Sequence, residues 1–216
     1  MTGAGPEPEE SVNLPELLGG FRPSRGGGAT ARFGTVEAAN IRYLVGQVVE
    51  LLGGDTLDEE PPDDRPAGPS DGPDDGLPSA GDLAAMIGLT ENSELPSDPA
   101  LARLLPDAYR DDPEASGEFR RYTEQGLRSG KVAAARTVLA TLPPKGGRVR
   151  LSGPEAEAWL RALNDVRLAL GVRLEVTEDF DELVARMSPD DPRLAYADMY
   201  HWLGYLQETL VGALSR

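Results

Sequence analysis

Asp198 and His201 stand three residues apart in a stretch that reads as helix, which sets a carboxylate and an imidazole on one face, an arrangement able to share a metal ion. A di-metal bundle needs a second such pair, and His201 is the only histidine in the 216-residue chain. His201, with Trp202 and Tyr205, is therefore expected to edge the core. A second polar pair, Asn164–Asp165, sits inside "AWLRALNDVRLALGVRLEV", residues 158–176, an amphipathic helix with a strand-like tail. Asp165 lies four residues after Arg161, the spacing of an ion pair worth about 0.3–0.5 kcal/mol when exposed. Alternatively, Asn164 and Asp165 reach the end of a neighbouring helix and hydrogen-bond its open backbone groups, fixing how two helices meet. A lone carboxylate and amide offer no acid–base partner, so Arg161, Asn164 and Asp165 are read as a structural brace.

Other reactive groups are sparse. One histidine and no cysteine leave little for a nucleophile–base arrangement. The lack of cysteine also removes disulfides, iron–sulfur clusters and zinc–thiolate sites. Gly26, Gly27 and Gly28 are not followed by Lys-Ser or Lys-Thr, so they do not spell a phosphate-cradling loop. The reading is non-enzymatic, with no catalytic residue, cofactor or resident metal expected.

Charge is more informative. The net of −16 is concentrated: residues 53–80 hold nine carboxylates against Arg65. Residues 117–150 run the other way, with eight basic side chains against Glu118 and Glu124. Arg120, Arg121, Arg128, Lys131, Arg136, Lys145 and Arg148 form the candidate surface for DNA or another anionic partner, each phosphate contact adding salt-dependent affinity. The plainer alternative is a solvated helical face balanced by acids elsewhere. The acidic segment is expected to fold back over this surface and screen it. Tyr200, Trp202 and Tyr205 make an aromatic-rich patch able to bind a protein partner, set against simple core packing.

The elements that would carry these groups are marked by periodicity and punctuation. Residues 1–19, rich in Pro, Glu and Gly, read as a disordered arm, and the proline-rich acidic residues 53–80 as a disordered insertion. Between them, extended runs flank the glycines at 26–28, predicting a hairpin. A helix follows from a Thr35 cap to Gly53, with Ile41, Leu44, Val45, Val48 and Leu52 on one stripe. Pro99–Leu105 reads as a short helix ended by Pro106. A longer helical stretch from Pro113 is expected to be interrupted near Gly126 and Gly130, resuming at about Ser129 to Leu142. Arg148–Leu151 reads as a strand able to pair with the hairpin. Pro154, Glu155 and Glu157 mark the start of the next helix, whose stripe is Trp159, Leu163, Val166 and Leu170, with Gly171 as its end. A final helix, about Pro192 to Leu214, buries Tyr196, Met199, Leu203, Leu206 and Leu210. The fold class is mainly α, a single domain spanning 20–216 with about five or six helices and a small antiparallel sheet. No run approaches the roughly 20 apolar residues of a membrane helix. Glu7, Glu9 and Glu10 occupy the place of a signal peptide's basic and apolar blocks, so the protein is expected in the cytoplasm.

Four segments, "DPALARLLPDAYRDD", "EFRRYTEQGLRSGKVAAARTVLATLP", "GGRVRLSGPEAEAWLRALNDVRLALGVRLEV" and "YHWLGYLQETLVGAL", resemble the actinomycete oxidative-stress regulator (AosR-like) family, long catalogued as a domain of unknown function. The resemblance covers roughly residues 20–52 and 95–216, with "LNDVRLALG" and "WLGYLQETLV" its most specific blocks. It implies a cytoplasmic protein encoded near a proteolytic adaptor and near sulfur-carrier genes of cysteine synthesis. It further implies a role in stress transcription alongside an alternative sigma factor, with the sigma factor, DNA or both as the contacts. The family's cysteine-pair redox switch does not carry over to a chain without cysteine. The function expected is a regulatory interaction protein; an adaptor or scaffold linked to proteolysis or cysteine biosynthesis is the alternative.

Overall fold

Gly26, Gly27 and Gly28 all take positive φ and turn the chain back on itself between β1 (Arg22–Pro23) and β2 (Ala29–Phe33), an antiparallel hairpin. At Gly28, φ is +96° and a Cβ would lie 2.1 Å from the Leu151 carbonyl oxygen, so only glycine fits. In the computed structural model, which describes residues 20–54, 98–106, 109 and 112–215 without the side chains of 113–122, β2 then pairs antiparallel with β3 (Gly147–Leu151). The amino-terminal arm 1–19 lies outside the described residues, as does the acidic insertion apart from Gly53 and Gly54.

The strand order is β1-β2-β3. Ala29, Ala31, Phe33, Val149 and Leu151 point inward and are buried, the period-2 alternation of a half-buried sheet. Phe33 stacks on Trp159 at 5.8 Å between ring centroids, and Phe21 meets both rings edge-on at 5.8 and 5.5 Å. The Trp159 indole N–H donates to Thr141 Oγ1 at 2.7 Å.

Six helices complete the described residues: α1 (Thr35–Leu51), α2 (Pro99–Leu104), α3 (Pro113–Thr141), α4 (Gly153–Arg173), α5 (Phe180–Ala185) and α6 (Arg193–Leu214). The result is a mainly helical domain with a small antiparallel sheet, as the residue pattern indicates. The apolar stripes of α1, α4 and α6 all reach one core; Tyr196 is only half-buried. No described helix is long and apolar enough to cross a membrane.

Several boundaries differ from expectation, each for a physical reason. Thr35 is the first residue of α1 rather than its cap; Gly34 caps it, its amide donating to Glu37 Oε2 at 2.6 Å. The helix closes on Gly53 at φ +72°, with Gly53 N–H bonding Glu50 O and Gly54 N–H bonding Val49 O, a Schellman ending. The predicted break at Gly126 and Gly130 is absent: α3 runs uninterrupted. A Cβ at either glycine would meet nothing within 4 Å, so each sits on the open side of the helix and costs only about 1 kcal/mol. Packing of Val132, Ala135, Val138 and Leu142, all buried, outweighs that. Ser152 caps α4, with its amide and hydroxyl both donating to Glu155 Oε2 at 2.7 Å. Those bonds hold the Glu155 carboxyl below the usual carboxylate range. Gly171 does not end α4, which continues to Arg173; the strand-like tail is instead a second Schellman turn, with Glu175 at φ 53° in the position Gly53 fills on α1. Finally, α5 is an element with no counterpart in the sequence reading.

Candidate functional site

α1 and α3 have no basic residue in their last turns, so their open carbonyls need cationic or hydrogen-bonding partners from elsewhere. Each supplies the other. Arg42 of α1 donates to Leu139 O at 2.7 Å and Leu142 O at 3.2 Å, at the end of α3. Arg128 of α3 donates to Leu52 O at 3.1 Å, at the end of α1, while pairing with Glu124 at 2.8 Å. Three residues on, the Lys131 ammonium meets Asp165 of α4 at 2.5 Å. Two of the seven basic candidates therefore point into the fold.

Asp165 is 3 % exposed. Burial is the main influence on its carboxyl and raises its pKa above the ordinary value, opposed by the hydrogen bond and charge of Lys131. The ion pair expected with Arg161 does not form. Arg161 is exposed and approaches Glu157 at 3.9 Å instead. Asn164 is also exposed, and Asp165 grips the middle of α3 through a side chain rather than the open backbone of a helix end. Asp165, Asn164 and Arg161 of α4 and Lys131 of α3 share one groove of about 650 Å³ between the two helices, with Gly126, Gly130 and the exposed Leu127 on the α3 wall.

The remaining basic candidates are spread. The side chains of Arg120 and Arg121 lie outside the described residues. Arg136 is exposed on α3 beside a shallow hollow with Gly53 and Arg128. Lys145 is exposed in the turn before β3, where its carbonyl accepts the Thr35 hydroxyl at 3.1 Å. Arg148 stands on the sheet. Among the described side chains, the basic candidates do not line one continuous groove.

The sheet holds a cation cluster that the linear charge count did not assemble. Arg32 is directly opposite Arg148, and Thr30 lies between Arg22 and Arg150 in the adjoining row. All four arginines are exposed on the face away from the core. Arginine at alternate positions of "RVRL" and the single outward Arg32 of "TARF", together with the predicted pairing, is the available signal.

Tyr200, Trp202 and Tyr205 are half-buried and pack against the core. Tyr200 meets Phe180 of α5 edge-on at 5.8 Å, and the Arg167 guanidinium sits 4.8 Å from its ring centre. Tyr205 lies against Gly20 near the sheet, and burial raises its phenol pKa. His201 contacts Asp181 of α5 at 2.9 Å. No group of three or more metal-binding side chains comes together among the described residues.

A family model described as a domain of unknown function, DUF2017, matches residues 18–214. The oxidative stress regulator AosR of Mycobacterium tuberculosis is 36% identical to this chain over 189 residues, which is 81% of this chain and 77% of that protein. The protein of the same name from Mycobacterium bovis matches with the same identity and coverage. No solved structure matches the chain significantly. The chain belongs to the DUF2017 family, among whose relatives are the mycobacterial proteins named oxidative stress regulator AosR.

Proposed function

We propose that this protein is a stress-linked transcription regulator that works in the cytoplasm by binding, through contact with a sigma factor, DNA or both, and not by catalysis. The relatives' name supports the stress link. The observation that carries the binding mode is the segregation of exposed charge. Arginines gather on the outer face of the sheet, whereas residues 175–198, around α5 and the first turns of α6, hold eight carboxylates against Arg186 and Arg193. A cationic face presented to an anionic partner orients the encounter. Without cysteine, the stress signal reaches this chain by a route other than its own thiols.

Fluorescence anisotropy against a labelled duplex, from low to physiological salt, tests direct DNA contact, in the full chain and in one lacking residues 55–80. Gly53 and Gly54 stay in both because they close α1. Tighter binding on deletion supports screening by the acidic segment. Co-purification with an alternative sigma factor tests the protein contact. Absence of both interactions sinks the reading.

The groove between α3 and α4 favours a second reading, an adaptor or scaffold serving proteolysis or cysteine biosynthesis. Exposed Leu127 beside small residues offers a seat for a partner's apolar side chains. Leu127→Asp abolishing capture of a proteolytic adaptor, with duplex binding intact, would establish it.

A further inference from the structure

We propose that the outer face of the three-stranded sheet is a phosphate-binding surface for double-stranded nucleic acid, with Arg32, Arg148 and Arg150 as its contacts. The proposal rests on the regulatory reading above and gives it a place on the molecule. Directly opposed residues on neighbouring strands hold their Cβ atoms about 4.5–5.5 Å apart, and residues two apart on one strand are separated by about 6.8 Å. The observed register therefore gathers three guanidinium groups, bordered by Arg22, into one flat patch. Arg22 has contacts of its own. Arg32 and Arg148 face each other as like charges, an arrangement that destabilises a sheet by itself. None of Arg32, Arg148 and Arg150 forms an ion pair with a described carboxylate. The Thr30 hydroxyl between the rows is engaged with Val149 O at 2.9 Å. An anion arriving from outside would supply the counter-charge that the described residues do not.

The chemistry selects the kind of anion. All three groups are arginine, whose planar fork matches phosphate oxygens in a way a lysine ammonium does not. None of the exposed large apolar side chains belongs to the sheet, so the face lacks the anchors that dominate protein–protein contacts. It also lacks an exposed aromatic ring on which an unpaired base could stack. A duplex backbone, recognised by charge and spacing without reading sequence, fits this surface better than an acidic peptide or a single strand.

The test uses the full chain, a labelled duplex of arbitrary sequence and a salt titration. The triple variant Arg32→Ala/Arg148→Ala/Arg150→Ala should bind at least tenfold more weakly at low salt, and the slope of log K against log salt should shrink by about 3. Its melting temperature should hold or rise, since the replaced groups repel one another, which separates lost contact from lost fold. A control variant, Arg136→Ala/Lys145→Ala, should retain the slope. Equal binding by the triple variant and the parent overturns the proposal, as does loss confined to the control, though duplex binding and hence the regulatory reading would stand. Binding of poly-L-glutamate but not duplex through these arginines also overturns it, making the face an acidic-polypeptide site. Failure to bind any duplex, with sigma-factor capture intact, removes this surface and leaves the regulatory reading to the protein contact alone.

Discussion

Helix α3 and the sheet carry the same kind of charge and use it in opposite ways. On α3, Arg128 closes the end of α1 and Lys131 neutralises a buried carboxylate. On the sheet, Arg32, Arg148 and Arg150 pair with no carboxylate among the described residues. The difference lies in what each element faces. The inner side of α3 looks onto helix ends and onto Asp165, where a cation satisfies groups that would otherwise be stranded away from water. The outer side of a half-buried sheet looks onto solvent, so an arginine there is open to what diffuses to it. Counting basic residues along the chain merges the two populations; asking what each guanidinium touches separates internal ties from a surface.

This contrast can be broken. The largest effect expected is for Asp165→Ala, which strips the part-buried Lys131 of its counter-charge and should cost on the order of 3 kcal/mol in urea unfolding, near the low end for a buried pair because Lys131 can still lean toward water. Replacing both partners, Lys131→Met with Asp165→Leu, should recover most of that loss; equal loss in the double variant would show that the pair is not the cause. Next is Arg128→Ala, expected to lower stability by about 1–2 kcal/mol through the uncapped Leu52 carbonyl, with faster amide exchange confined to the end of α1. A pH measurement sharpens the inner half of the comparison. The folded pKa of Asp165 lies above its unfolded value, so the native state holds an extra proton across that interval and stability falls as pH rises through it. Lys131→Met removes the two influences that pull this pKa down. The carboxyl resonance of Asp165 should then titrate at still higher pH, and the decline in stability should extend over a wider range. The smallest effect is on the sheet: Arg148→Ala should change stability by less than about 0.5 kcal/mol, toward greater stability, by relieving the repulsion with Arg32. A clear loss there would make Arg148 an internal tie like Arg128.

Much of the architecture is legible because its determinants are local. Three glycines before an alternating run mark the hairpin, and Pro154 with Glu155 marks the start of α4. Stripes at helical spacing pick out the buried sides of α1, α4 and α6. What escapes is set by tertiary partners. Spacing offers Arg161 to Asp165, but the residue that meets Asp165 is 34 positions away on another helix. Gly126 and Gly130 read as breakers because their cost is visible in sequence, while the packing that overrides it is not. The arginine face needs strand register before Arg32 and Arg148 become neighbours, so composition alone draws attention to the wrong stretch. Glu175, at positive φ, carries no local signal that a helix ends there.

The exchange of arginines between α1 and α3 has a further consequence for how the molecule opens. Each helix terminus is completed by a residue from the middle of the other, across the chain segment 55–97. Neither end can be fully hydrogen-bonded until both helices are docked, so the two termini should form and fray as one cooperative unit. Amide exchange near Leu52 and near Leu142 should therefore slow and quicken together, although the two residues are separated by ninety positions of sequence.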